Sequence, residues 1–418
     1  MRRTLVRHQV YSAFLAAYAT IRWPNAASFT PLRSFRETFF QFERKATTQN
    51  LQLILQPVLL QLHSISITQF KNYSNRSFRF NERIVGICGN NGVGKTNLLD
   101  AIHYLCFTKS YFTRDTLNIQ NGQTGFRVDG ELQLNDKKEK AVCILRETGK
   151  KEFSINDSGY EKFSEHIGRY PCVIIAPDDI QIITDGSEER RRFLDALLSQ
   201  IDKDYLQSLI SYNKILVQRN SLLKSFYETG NKNLSLLDVF DQQLLKPGDY
   251  IFKTRKQFLI SFLPQVKKLY SEIARQEEET ELHFQSELNQ CTFAELLHLN
   301  RQRDIAAQRT TGGIHRDDLV FNLSGQLFKN IASQGQRKSL LFALKLAEMD
   351  VLKENKGFSP LLLLDDVFEK LDEDRIANLL RRVCIENNGQ VFITDTNQER
   401  LSEHLNVLSI KYQLIHLS

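Results

Sequence analysis

The period of apolar positions changes several times along the chain, and each change marks an element. Ile84-Val85-Gly86-Ile87-Cys88 is apolar throughout, as a strand buried on both faces requires. After a short glycine-rich stretch, Leu98, Leu99, Ile102 and Leu105 recur at helical spacing. Upstream, residues 63–68 alternate as a strand, and residues 69–79 read as a polar connection. Downstream, residues 125–135 and 140–155 alternate as short antiparallel strands, and residues 170–176 form a further apolar strand. From 186 to about 303 glycines are sparse. Pro247 and Pro264 are read there as breakers, between stripes such as Phe193, Leu194, Leu197, Leu198, Ile201 and Phe258, Leu259, Phe262, Leu263, Val266, Tyr270. Alternation resumes near Thr311, and 361–364 is an unbroken run of leucine. The pattern predicts an α/β fold, a mixed sheet flanked by helices, with a helical lobe inserted into it. The parts are an N-terminal extension (1–58), a first sheet-bearing part (59–185), the helical lobe (186–305) and a second sheet-bearing part (306–418).

The stretch between the first buried strand and its helix is Gly89-Asn90-Asn91-Gly92-Val93-Gly94-Lys95-Thr96-Asn97. It is a full Walker A pattern in the strand–turn–helix context that the motif needs. Glycines allow positive φ, successive N–H groups can turn toward phosphate oxygens, and the new helix directs its positive end at them. Lys95 would neutralise the β and γ phosphates of ATP, and the Thr96 hydroxyl would ligate Mg²⁺.

The leucine run ends in Asp365-Asp366, a Walker B arrangement that puts two carboxylates at the ligand-binding edge of a parallel sheet. Asp365 is expected to hold Mg²⁺, and Asp366 to polarise the attacking water. Upstream, Ser333-Gln334-Gly335-Gln336 opens an apparent helix, a second anion nest. One triphosphate has little use for two nests in one chain. The useful arrangement is a second copy offering its nest to the nucleotide held by the first.

Charge changes the picture less than its total suggests. The formal net charge is +6, and residues 1–58 alone hold eight basic and two acidic side chains, so the remainder is formally neutral. That arginine-rich, acid-poor start resembles an organellar transit peptide; the alternative is an over-extended terminus outside the fold, with initiation near Val58 to Leu60. Within the body, basic residues concentrate on the helical lobe: Arg190, Arg191 and Arg192, then Lys246, Lys253, Arg255, Lys256, Lys267 and Lys268. Arg190, Arg191, Arg192, Lys253 and Lys256 are the candidate DNA contacts. The alternative is a solvated helix face, and Glu188, Glu189 and Asp195 soften the first cluster. Phe70 or Tyr73 could meet adenine, with packing as the alternative. His315 and Arg316 could approach phosphate or the other lobe, with a satisfied loop histidine as the alternative. Six scattered cysteines without a CxxC pair suggest neither zinc nor disulfides, and a reducing cytoplasm is expected. No run is long enough for a membrane span, so no membrane partner is expected.

Walker A, the serine–glycine–glutamine signature and Walker B, with Glu369-Lys370-Leu371-Asp372 as a D-loop-like tail, together resemble the ATP-binding-cassette (ABC) ATPases. Among these the chain resembles the RecF recombinational-repair family, of the same branch as the SMC proteins. The resemblance runs from about Leu60 to the C-terminus. It rests also on Ile67 to Tyr73, Gly186 to Asp195, Gln218-Arg219-Asn220 and Gly313 to Leu319. It implies an ABC-type P-loop ATPase head that binds double-stranded and gapped DNA at single-strand/duplex junctions and helps to load recombinase alongside mediator proteins. It further implies an ATP-dependent homodimer in which Ser333, Gly335 and Gln336 reach the partner's γ-phosphate. Transporter ATPases usually carry glutamate where Asp366 stands, and a switch histidine near Thr394. The shorter side chain predicts slow hydrolysis, since a misplacement of about 1 Å can cost on the order of a hundredfold, and a weak ATPase stimulated by DNA is expected. Three rivals fit less well. An SMC-type structural ATPase needs long coiled arms, yet Lys95 and Ser333 are only about 240 residues apart. A transporter subunit needs no basic lobe. A nuclease fused to an ATPase head needs a further acidic or histidine cluster.

Overall fold

The computed structural model describes residues 60–418 apart from 231, 275–277 and 369–372. The extension at 1–58 and the D-loop-like Glu369-Lys370-Leu371-Asp372 therefore lie outside the described residues. In chain order the elements are β1 (Leu60–Phe70), β2 (Tyr73–Arg79), β3 (Ile84–Cys88), α1 (Lys95–Phe107), β4 (Phe126–Leu134), β5 (Lys137–Leu145), β6 (Lys151–Ile155), β7 (Ser158–Gly159) and β8 (Cys172–Ile175). Then come α2 (Ser187–Ile201), α3 (Lys203–Thr229), α4 (Leu234–Ala274), β9 (Thr280–Gln285), α5 (Phe293–Ala307), β10 (Asp318–Leu323) and β11 (Gln326–Leu327). The chain ends with α6 (Gln334–Lys356), β12 (Leu361–Leu364), α7 (Glu373–Leu380), β13 (Val391–Asp395), α8 (Gln398–Val407) and β14 (Tyr412–His416).

The described strands form a parallel sheet of order β14-β3-β13-β12-β8, an antiparallel sheet β2-β1-β4-β5-β6-β7, and a small antiparallel sheet β11-β10-β9. Side-chain alternation splits each central strand between two cores. Leu361 and Leu363 join α1 and the antiparallel sheet, whereas Leu362 and Leu364 join α6 and the helical lobe. Burial on both faces is why β12 can be leucine throughout. The second core runs without a break from the parallel sheet into α3, α4 and α5, so the helical lobe shares the core of the ATPase sheet.

Three local expectations need correction. Residues 73–79 are not a loop but the edge strand β2, whose exposed polar positions satisfy solvent while Tyr73 and Phe78 turn inward. Pro247 and Pro264 do not break the helical lobe, because both lie inside the 41-residue helix α4. A mid-helix proline costs about 3 kcal/mol in isolation; here the buried stripe Leu244, Ile251, Leu259, Phe262 and Val266 carries the helix past both. Finally, sheet structure resumes before Thr311, as Thr280–Gln285 pairs antiparallel with Asp318–Leu323.

Candidate functional site

The glycine loop joins β3 to α1, and its geometry is that of a phosphate cradle. Gly89, Gly92 and Gly94 have φ of 154°, 82° and 109°. At Gly94 a Cβ would stand 2.6 Å from the Asn72 amide and 3.0 Å from the Tyr73 hydroxyl, so glycine is needed for space as well as for conformation. Helix α1 has no acidic residue in its first turn, leaving its positive end free for an anion. Lys95 is buried and folds back to donate from Nζ to the Gly89 carbonyl at 2.8 Å and the Asn90 carbonyl at 3.1 Å. Asn90 and Asn91 are exposed, while Val93 packs against the core.

The β1–β2 turn supports this loop from the side. Asn72 Nδ2 donates to the Val93 carbonyl at 3.0 Å, Tyr73 Oη to the Gly94 carbonyl at 3.0 Å, and Asn97 Nδ2 to Asn72 Oδ1 at 2.8 Å. Lys71 pairs with the fully buried Asp100 of α1 at 2.6 Å. Of the two readings of Phe70 and Tyr73, packing holds: Phe70 is buried edge-on against Tyr104 and Phe126, and the Tyr73 ring is buried against Phe78. Sequence reasoning passed over Asn72 as a brace. Apart from the adenine reading of Tyr73, the Lys71-Asn72-Tyr73 stretch had carried only the resemblance.

The two Walker motifs meet. Thr96 Oγ1 donates to Asp365 at 2.8 Å (Oδ2) and 3.1 Å (Oδ1), although the residues are 269 apart in sequence. Strand β13 lies between β3 and β12, and Thr394 at its end supplies the missing strut. Its Oγ1 donates to Asp365 Oδ1 at 2.8 Å and accepts from Asp366 N–H at 2.9 Å. Asp366 sits at φ 43°, a left-handed conformation that Asp tolerates better than most side chains. Burial pushes the Asp365 carboxyl above its usual range, and the adjacent Asp366 pushes the same way; hydrogen bonds from Thr394 and Thr96 and the Lys95 charge pull it down. A hydroxyl and a partly desolvated carboxylate in contact are the donor chemistry of a magnesium site, so the residues present fit that ion.

The signature opens α6. Ser333 is its exposed N-cap, and the capping box is reciprocal, with Gln336 N–H donating to Ser333 Oγ at 3.2 Å and Ser333 N–H to Gln336 Oε1 at 2.7 Å. No acid lies in the first turn of α6. Gly335 is overlain by the Arg375 guanidinium, which would be 2.3 Å from a Cβ placed there. The Gln336 side chain is thus turned inward within this chain rather than outward. A cavity of about 320 Å³ separates Asp365 and Asp366 from Gln334, Arg337 and Lys338.

The basic cluster divides. Arg190 does not belong to a positive surface: it is buried, its guanidinium is bidentate to Asp318 at 2.6 and 3.0 Å, and it also donates to the Ile182 and Asp185 carbonyls. Arg255 is likewise internal, held by Asp195, Asp317 and the Ile314 carbonyl. Arg191 donates to the Asp317 carbonyl, and the exposed Arg192 pairs with Glu188 and Glu189 on its own helix. Lys253 and Lys256 remain exposed on α4. His315 is the satisfied loop histidine. Its Nε2 donates to the Thr310 carbonyl at 3.1 Å and its Nδ1 accepts from Tyr212 at 2.9 Å, while burial lowers its pKa to about 4. Arg219, from the Gln218-Arg219-Asn220 run, is fully buried between Asp241 and Asp304.

A parallel sheet with its glycine loop, its acidic strand end and a separate signature helix defines an ABC-type P-loop ATPase head. The family described as "RecF/RecN/SMC N terminal domain" matches residues 61–415. The chain is 42% identical over 359 residues to the DNA replication and repair protein RecF of Flavobacterium johnsoniae, covering 86% of this chain and 100% of that one. It is 40% identical over 357 residues to the protein of the same name from Parabacteroides distasonis, covering 85% and 97%. A solved structure described as the recombination mediator protein RecF-ATP in the RecFOR pathway superposes with a TM-score of 0.76 at 31% identity, covering 82% of this chain and 94% of that chain. A second, described as RecF-ATPrS, gives 0.75 with the same identity and coverage. The chain belongs to the RecF family of DNA replication and repair proteins.

Proposed function

We propose that this chain binds ATP with Mg²⁺ in the Gly89–Thr96 cradle and closes face to face on a second copy around the bound triphosphates, on DNA at a gap or single-strand/duplex junction, to promote recombinase loading. The observation that carries the reading is the contact between Thr96 and Asp365 at 2.8 Å, which unites the two halves of a magnesium–triphosphate site. Lys95 holds the β and γ phosphates once its ammonium leaves the loop carbonyls. Mg²⁺ held by Thr96 and Asp365 would neutralise charge on the phosphate oxygens. Asp366 orients the attacking water, and its short side chain favours slow turnover, so hydrolysis acts as a timed release. Ser333 and Gly335 of the second copy complete the pocket with a hydroxyl and a helix N-terminus. Lys253 and Lys256, with Arg191 and Arg192 at the edge, supply the phosphate contacts to DNA. Mediator proteins of the same repair route and the recombinase are the expected partners, in the cytoplasm. No described helix is long and apolar enough to cross a membrane.

Two features support the DNA and assembly parts of this reading: the relatives are described as DNA replication and repair proteins, and Ser333 is exposed at the start of α6. The test is sedimentation with a non-hydrolysable ATP analogue, with ADP and with neither, in the presence and absence of gapped duplex. A dimer with the ATP analogue alone, binding gapped duplex with a steep salt dependence, is expected. Asp366→Asn should retain nucleotide and DNA binding and accumulate the dimer with ATP. Single chains under every condition would end the sandwich reading.

A further inference from the structure

Gln336 uses its side-chain amide at both ends. Oε1 accepts from Ser333 N–H at 2.7 Å, and Nε2 donates to Glu278 Oε1 at 3.0 Å. The second oxygen of Glu278 accepts from the Tyr270 hydroxyl at 2.5 Å. Tyr270 is buried near the end of α4, the helix that exposes Lys253 and Lys256. A hydrogen-bonded line therefore runs from α4 through Tyr270, Glu278 and Gln336 to the signature serine, joining segments far apart in sequence.

The chemistry of each link gives the line a direction. An amide tied at one end can still turn about its last torsion; tied at both ends it has one orientation. With Oε1 committed to Ser333 N–H and the Gln336 N–H committed to Ser333 Oγ at 3.2 Å, the serine accepts from its own helix and its hydroxyl proton is left to donate elsewhere. The link to Glu278 has a carboxylate acceptor, which makes it stronger than an amide–amide bond.

We propose that Glu278 is a positioning residue for the signature: it fixes Gln336, and through it the Ser333 hydroxyl, for the γ-phosphate presented by a second copy, and it ties that serine to the place of helix α4. This rests on the face-to-face reading above. Glu278 acts through Gln336. Its effect is confined to closure and to steps that follow it, while ATP binding in the chain's own Lys95 cradle is indifferent to it.

The test compares the full-length wild type with Glu278→Ala, Glu278→Gln and Tyr270→Phe. Two quantities are read separately: the affinity of single chains for a fluorescent ATP analogue, and the self-association constant with a non-hydrolysable analogue. Glu278→Ala should leave nucleotide affinity within about twofold and weaken self-association about tenfold, the size of one charge-assisted hydrogen bond. ATP turnover should show a lower kcat at unchanged KM. Glu278→Gln keeps an acceptor for Gln336 and should recover to within about threefold of wild type. Tyr270→Phe leaves the signature untouched and disturbs only the orientation of Glu278, so a loss of about threefold is expected; it also serves if the alanine variant misfolds. Self-association at wild-type strength in both Glu278→Ala and Tyr270→Phe overturns the assignment. So does tighter association in Glu278→Ala, which would make the carboxylate a restraint, or a glutamine variant as weak as the alanine one. If the wild type itself stays monomeric while binding the analogue, the sandwich falls and the Glu278 assignment falls with it.

Discussion

Asp365 is held by two hydroxyls, Thr96 on the Walker A helix and Thr394 on the strand between the motifs, and it is nonetheless pushed by burial toward its neutral form. A divalent cation would act in the same sense as the two hydroxyls, favouring the anion against burial. Thr394 has a second duty, because its oxygen is the acceptor for the Asp366 N–H while that residue holds φ at 43°. Thr394→Val keeps the shape and removes both bonds, leaving Asp365 Oδ1 with only the longer bond from Thr96 at 3.1 Å and a strained backbone N–H without its acceptor. An unmet group of that kind costs about 1–3 kcal/mol. We expect ATP turnover to fall by about 10- to 100-fold, while nucleotide affinity, dominated by Lys95 and the glycine loop, changes by less than about threefold. Single-turnover hydrolysis beside equilibrium nucleotide binding checks this, and full turnover in the variant would remove Thr394 from the site.

Helix α4 shows how one element carries residues of the same charge to opposite ends. Lys253 and Lys256 are exposed, whereas Arg255 between them is buried and spends its guanidinium on Asp195, Asp317 and the Ile314 carbonyl. A double Lys253→Ala, Lys256→Ala change should weaken DNA binding for all sequences and reduce the salt slope by about 2, with thermal stability unaffected. Arg255→Ala should instead destabilise the fold by roughly 3–5 kcal/mol, since it strands two carboxylates. Salt titrations of DNA affinity and urea unfolding separate the two effects; an unchanged slope in the double variant would place the DNA elsewhere. The same contrast marks how far the sequence could be read. The phosphate loop and the acidic strand end were legible because their chemistry is written in consecutive residues flanked by unmistakable periodicity. Arg190 and Arg255 were misread as surface because their partners, Asp318 and Asp317, lie 128 and 62 residues away, and charge clustering along the chain carries no information about such pairs. Strand β9 carried the alternation Thr280, Leu282, Phe284, hidden by the helices on either side. Thr394 stood next to a recognised gap in the motif, but its partnership with Asp365 is set by sheet order, which only folding reveals.

At the scale of the molecule, the nucleotide loop's helix and the signature helix are packed on opposite faces of one parallel sheet, and a charged layer is buried where the two halves meet. Lys345 and Glu348 on α6 lie 3.5 Å apart, Lys345 is 3.9 Å from Asp179, and Asp179 accepts from the Tyr111 hydroxyl, beside a cavity of about 690 Å³. Burial raises the Glu348 carboxyl from 4.5 to about 7; Lys345 pulls it down and Asp179 pushes it up. Burial on its own lowers Lys345, but Asp179, Tyr111 and Glu348 raise it further than burial lowers it, so it stays cationic throughout. Between pH 4.5 and about 7 the folded chain keeps a proton on Glu348 that the unfolded chain has released. The folded state then binds more protons, so stability falls as pH rises through that window, by up to about 1.4 kcal/mol per pH unit for a single group. Glu348→Gln keeps the size and removes the titration. Relative to wild type, the variant should gain roughly 1–3 kcal/mol on going from pH 5 to pH 8, a difference in which any packing cost common to both conditions cancels. Urea unfolding of both proteins at the two pH values gives the quantity directly. Parallel pH profiles would mean that Glu348 is already ionised in the fold and that the layer is held by its pairing with Lys345 alone.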